Sequence, residues 1–102
     1  MHVKHNKARV KPGKRDEVAK TLVDFYDENE GNMKGYKGLV VIHSLHDPQE
    51  IIALTFWETK QDMDAYHAPD NKLLTSLQEK TKPNREGDVE RRDYTVSHLK
   101  MR

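Results

Sequence analysis

Lys11-Pro12-Gly13-Lys14 at one end and Phe56-Trp57-Glu58-Thr59 at the other bracket the stretch whose reading decides the fold. The Pro-Gly turn closes a strand and opens a helix that runs to about Glu28. Within it Val18, Leu22, Phe25 and Tyr26 recur at i, i+4, i+7 and i+8, Ala19 and Val23 widen the stripe, and Lys20, Asp24, Asp27 and Glu28 take the wet face. Gly31, Gly35 and Gly38 are expected to supply the positive φ values that stop this helix and turn the chain. Leu39-Val40-Val41-Ile42 and Ile51 to Trp57 then flank the turn His46-Asp47-Pro48-Gln49-Glu50, which reads as a hairpin.

Working outward, His2 to Val10 reads as a partly exposed strand, on which Asn6 and Ala8 look the same way. On the other side Thr59 is placed to cap a short helix with Asp62 three residues on, and Met63 and Tyr66 lie on its inner face. Pro69 breaks that helix, and Asp70 is expected to cap a further one carrying Leu73, Leu74 and Leu77. Thr81 to Gly87 reads as a polar loop and Val89 to Leu99 as the last strand. The order is β-α-β-β-α-β. It predicts an α+β, ferredoxin-like domain with an antiparallel four-stranded sheet, spanning residues 1–102 as one unit.

Composition narrows the partners. Only 34% of the 102 residues are hydrophobic, so the apolar residues are scarce for a domain of this size, and part of the core is expected to be completed by a second copy. The run Ile51 to Trp57 points the same way, because it reads as a strand covered on both faces while the chain has helices enough for one. Eighteen basic residues against 17 acidic leave a net charge of +1, so no nucleic-acid or acidic-membrane partner is expected. The absence of cysteine excludes disulfides and thiolate metal sites. With no apolar run near the roughly 20 residues of a membrane span, the expectation is a soluble, cytoplasmic protein.

Four segments together resemble the antibiotic biosynthesis monooxygenase (ABM) family of dimeric α/β barrels: Val10-Lys11-Pro12-Gly13-Lys14, Gly35-Tyr36-Lys37-Gly38-Leu39-Val40, Asp47-Pro48 and Trp57-Glu58-Thr59-Lys60. Their order covers roughly residues 3 to 98. The resemblance implies a homodimer whose sheets face one another, a pocket between sheet and helices in each subunit, and an oxygenase using no metal or flavin of its own. The spacing is closest to the heme-degrading branch, which places an Asn on the first strand and an aromatic in the helix after the third. Asn6 and Tyr66 fall on those positions, while the position of that branch's histidine heme ligand is held by Ser76.

Asn6 and Tyr66 are therefore the candidate catalytic residues. Asn6 reads either as an amide donor to bound substrate or as a strand residue bonded to neighbouring backbone, and Tyr66 either as a pocket hydroxyl or as plain core. Trp57, Phe25, Leu54 and Phe56 are the candidate apolar walls, and His67 is a candidate ligand or base. No metal site is expected, because His43 and His46 fall on opposite faces and no His-His-carboxylate grouping has helical spacing. Three functions are open to such a chain: cofactor-independent oxidation by O2 of a planar, electron-rich quinol- or polyphenol-like molecule; heme binding and degradation; and ligand binding without turnover, as in a stress-response module.

Overall fold

A computed structural model describes residues 1–102. Strand β1 (His2–Val10) is followed by α1 (Arg15–Asn29), β2 (Tyr36–His43), β3 (Glu50–Trp57), α2 (Lys60–Tyr66), α3 (Lys72–Thr81) and β4 (Arg85–Thr95). The strands form one antiparallel sheet in the order β2-β3-β1-β4, the ferredoxin-like arrangement.

Local chemistry explains the boundaries. Thr59 caps α2 as expected, its Oγ1 accepting from the Asp62 amide at 3.0 Å. The cap of α3 is Asn71 and not Asp70: Asn71 Oδ1 accepts from the Leu74 amide at 3.1 Å, so the helix begins one residue later. α1 runs into a 3-10 turn at Glu30–Asn32, and Gly31 within it has no positive φ. Gly35 at φ 79 and Gly38 at φ 157 do take positive φ, and at Gly35 a Cβ would also strike Asp62 of α2. The last strand begins at Arg85, four residues before its expected start, and ends at Thr95 instead of Leu99. Pairing with β1 decides this, since Val10 opposes Arg85 and Arg9 opposes Glu86 across a register shift.

α1 is tied to the β2–β3 hairpin by Arg15, whose Nη1 donates to the carbonyls of Ser44 and Asp47, both at 2.9 Å. All four alternate residues of β3 that face the helices, Ile51, Ala53, Thr55 and Trp57, are buried. Between sheet and helices lie two apolar clusters. Phe25, Tyr26, Met33, Trp57, Met63, Tyr66 and Leu77 form the larger, and Val10, Val18 and Ile51 the smaller. Val40 and Ile42 of β2 point to the other face and are 42% and 44% exposed in the single chain. In the single chain, the run Ile51 to Trp57, expected to be covered on both faces, is covered on the helix side, and Val40 and Ile42 of the apolar run Leu39 to Ile42 lie exposed beside its other face.

Candidate functional site

A cavity between sheet and helices is lined by residues of both clusters, Tyr26 and Leu77 from the larger and Val18 and Ile51 from the smaller. Its sheet wall comes from Asn6 and Ala8 of β1, Ile51 and Ala53 of β3, and Val89 and Arg91 of β4. α1 contributes Val18, Leu22 and Tyr26, α3 contributes Leu74, Leu77, Gln78 and Thr81, and His67 and Arg85 complete the lining. About 550 Å3 lies empty there, including the solvent at its mouth. The walls are mostly apolar and the polar groups are few, as in small-molecule sites.

Asn6 reaches the cavity, but its amide is engaged. Nδ2 donates to the carbonyls of Ala53 at 3.0 Å and Lys4 at 3.3 Å, and Oδ1 accepts from Arg91 Nε at 3.2 Å. Its bonding is therefore to neighbouring backbone and to one guanidinium. Tyr66 stands behind the wall, its hydroxyl hydrogen-bonded at 3.2 Å to that of Tyr26, which lines the cavity. Burial raises the pKa of both phenols, so both stay protonated.

His67 follows the last turn of α2, and its Nδ1 lies 2.7 Å from the Met63 carbonyl. A carbonyl only accepts, so the ring proton sits on Nδ1 and Nε2 keeps its lone pair. Burial pulls the pKa down to about 4, with Lys4 and Arg91 adding to the effect, so the ring is neutral at pH 7.

Four expected walls lie elsewhere. Trp57 is fully buried beneath the helices, where its Nε1 donates to Thr55 Oγ1 at 3.0 Å and its ring packs on Tyr66 at 4.9 Å between centroids. Phe25 is in the same cluster and outside the cavity lining. Leu54 and Phe56 alternate with the buried residues of β3 and so face away from the helices, opposite His5 and Val3. They cannot wall this cavity, because residues one apart on a strand point to opposite sides.

Sequence reasoning missed Tyr26 and Arg91. Tyr26 sits on the apolar stripe beside Phe25, and only the helix rotation about its axis decides which of the two meets the cavity. For Arg91 a signal existed: the adjacent pair Arg91-Arg92 in a strand must send one guanidinium to each face. Arg91 opposes Asn6 in the register and takes the helix side.

The profile of the antibiotic biosynthesis monooxygenase family matches residues 1–71. The chain belongs to the ABM family. Solved structures agree on the fold of this ABM chain. A candidate antibiotic biosynthesis monooxygenase from Nitrosomonas europaea superposes with a TM-score of 0.77 at 13% identity, covering 95% of this chain and 90% of the other. One from Chloroflexus aurantiacus gives 0.73 at 19% identity, over 98% and 96%. A conserved protein from Methanosarcina mazei gives 0.71 at 18% identity, over 92% and 91%. No curated protein matches this ABM chain. Membership of the family supports a general monooxygenase-like role.

No three His, Cys, Asp or Glu side chains of this ABM chain converge in a way that could hold a metal ion. The heme arrangement implied by the sequence resemblance also fits poorly. Ser76 lies on α3 outside the cavity lining and has no imidazole, and His67 is the one histidine on the cavity. No helix is long and apolar enough to cross a membrane.

Proposed function

We propose that this ABM chain is a cofactor-independent monooxygenase that oxidises a small, planar, electron-rich organic substrate, quinol- or polyphenol-like, in the cavity between sheet and helices. The observation that carries the reading is the cavity itself: apolar walls from the sheet, α1 and α3 enclose a short set of polar groups, among them a neutral imidazole with a free Nε2. The neutral ring accepts a hydrogen bond from a substrate hydroxyl, and the protonated Tyr26–Tyr66 pair offers a donor from the α1 wall. The substrate supplies the electrons. For a hydroxynaphthalene in its keto form, the ring CH2 loses a proton to His67 Nε2, the carbanion reduces O2 and is joined by it as a peroxide, the proton returns to give the hydroperoxide, and loss of water leaves a carbonyl. One O2 is consumed, one oxygen atom enters the quinone and the other leaves as water. The dry wall protects the reactive carbanion from protonation.

Asn6 acts in this scheme by holding Arg91, and Tyr66 by holding Tyr26, so both are positioning residues. The same reading makes the active form a homodimer, closed over the apolar open face that carries Ile52, Leu54 and Phe56. In support, the single chain buries only 14 of its 102 residues.

Oxygen uptake with a panel of hydroxynaphthalenes and quinols, without added metal, flavin or heme, tests the proposal. The expected result is O2 consumption matched one to one by quinone. Uptake no faster than that of the Asn6→Ala, Tyr66→Phe double variant would overturn it.

A further inference from the structure

The cavity carries positive charge that nothing in the fold neutralises. Arg91 and Arg85 both line it, and no aspartate or glutamate does. Neither arginine takes part in any of the ion pairs of the chain, which lie among other residues. Arg85 is held by neutral partners: its Nε donates to Thr81 Oγ1 at 3.3 Å and its Nη1 to the Gly87 carbonyl at 2.9 Å. Arg91 uses Nε alone, on Asn6 Oδ1, which leaves the two Nη groups of its fork without a protein acceptor.

This is an unusual state for a guanidinium that is half-buried among apolar side chains. Desolvation disfavours its charge, and Arg85 beside it does so further. The chain has acidic residues to spare, 17 in all, yet the neighbouring carboxylate on the same face of β4, Asp93, is paired with Lys4. Asn6, locked on two backbone carbonyls, fixes the orientation of the fork. His67 adds no charge, since it is neutral. Two parallel N–H groups in a mostly apolar, positively charged pocket are complementary to the paired oxygens of a carboxylate, or to a single ionised ring hydroxyl.

The geometry points to an aromatic oxyanion as the ligand class of this cavity, its negatively charged oxygen docked on the free Nη groups of Arg91 and its ring between the sheet and α3. This rests on the reading of the cavity as a small-molecule site, and adds the charge of the substrate. It makes Arg91 a specificity residue that selects the ionised form.

Two anaerobic titrations of the full chain test it, the first with ligand at pH 7 and the second with pH from 4 to 8, neither depending on turnover. In the first, 1-naphthoate binds at least ten-fold tighter than 1-naphthamide, which has the same shape without the charge. In the second, 4-nitro-1-naphthol, followed by its phenolate absorbance, has its pKa lowered by at least one unit when bound. Arg91→Gln abolishes both effects, Arg91→Lys restores part of each, and Arg85→Gln weakens them less. A preference in the first arm alone identifies a carboxylate, and in the second alone a phenolate. Equal affinity for naphthoate and naphthamide with an unshifted naphthol pKa overturns the inference, as does a full effect in folded Arg91→Gln or no binding of any probe at millimolar concentration. Should Arg91→Gln not fold, Arg85→Gln and Arg91→Lys carry the comparison. Absent oxygen uptake with intact anion selectivity would remove the monooxygenase reading and leave this one standing; uptake of neutral substrates without anion preference would do the reverse.

Discussion

On the helix-covered face of the sheet, Ile51, Ala53, Thr55 and Trp57 are all buried, whereas Ile52, Leu54 and Phe56 of the same strand keep part of their surface in water. The covered face mixes a dense aromatic cluster with a cavity holding arginines, an asparagine and a histidine. The open face is simpler. Across the register it carries Val3, His5, Ile52, Leu54, Phe56, Val40, Ile42 and Tyr94, an apolar patch bordered on the β1–β4 side by the charged Lys7, Glu90 and Arg92, with one buried and unpartnered polar atom, His5 Nδ1. A face that supports chemistry must keep polar groups within reach of a ligand, whereas a face suited to association keeps its charges at the rim of an apolar patch.

The sharpest way to break this contrast is to damage each face in turn. Trp57→Ala empties the centre of the covered face and is expected to cost about 3–5 kcal/mol in urea denaturation. A loss below ~1 kcal/mol would mean that the aromatic cluster is not the core of the fold. Leu54→Asp on the open face should instead weaken self-association by about a hundredfold, near 2.7 kcal/mol, with the secondary structure retained. Light scattering across a concentration series reads this directly; a wild-type chain that stays at 11.9 kDa at every concentration would remove the homodimer.

Acid separates the faces more gently. His67 on the covered face titrates near 4 when folded, against an ordinary value of 6.5. Between those values the unfolded chain binds more protons at this site, so the contribution of His67 to stability is constant above about pH 6.5 and falls as pH drops toward 4, by on the order of 2 kcal/mol. Thermal melts of wild type and His67→Gln at pH 7 and pH 4.5 should diverge only in the wild type's extra loss, and parallel curves would show that the ring is not buried neutral. The smallest effect belongs to Thr59→Ala, which removes the cap of α2 beneath the aromatic cluster at a cost of about 1 kcal/mol. An unchanged melting midpoint would place the start of α2 outside the cooperative unit.

Much of the fold was legible because short-range chemistry writes it. The stripe Val18, Leu22, Phe25, Tyr26 is a helix wherever it packs, Thr59 caps the helix that begins at Lys60, and β1 occupies the expected residues. The last strand was displaced by four residues because an exposed edge strand has little apolar alternation to mark its ends. The site was less legible. Asn6 and His67 were found on the cavity, Tyr66 one layer behind it, and Leu54 and Phe56 on the wrong side of the sheet. Alternation tells that Leu54 and Ala53 point apart, but not which of them meets the helices.

The chain's own letters determined the order of elements, the cap of α2 and the hairpin turn, and the family to which they belong, since these depend on neighbours a few residues away. Which face of β3 the helices cover, which of Phe25 and Tyr26 opens on the cavity, and that Arg91 stands unpaired beside Asn6 were decided by strand register and helix rotation. Those quantities are set by packing between segments as far apart as residues 6 and 91, and no local pattern encodes them.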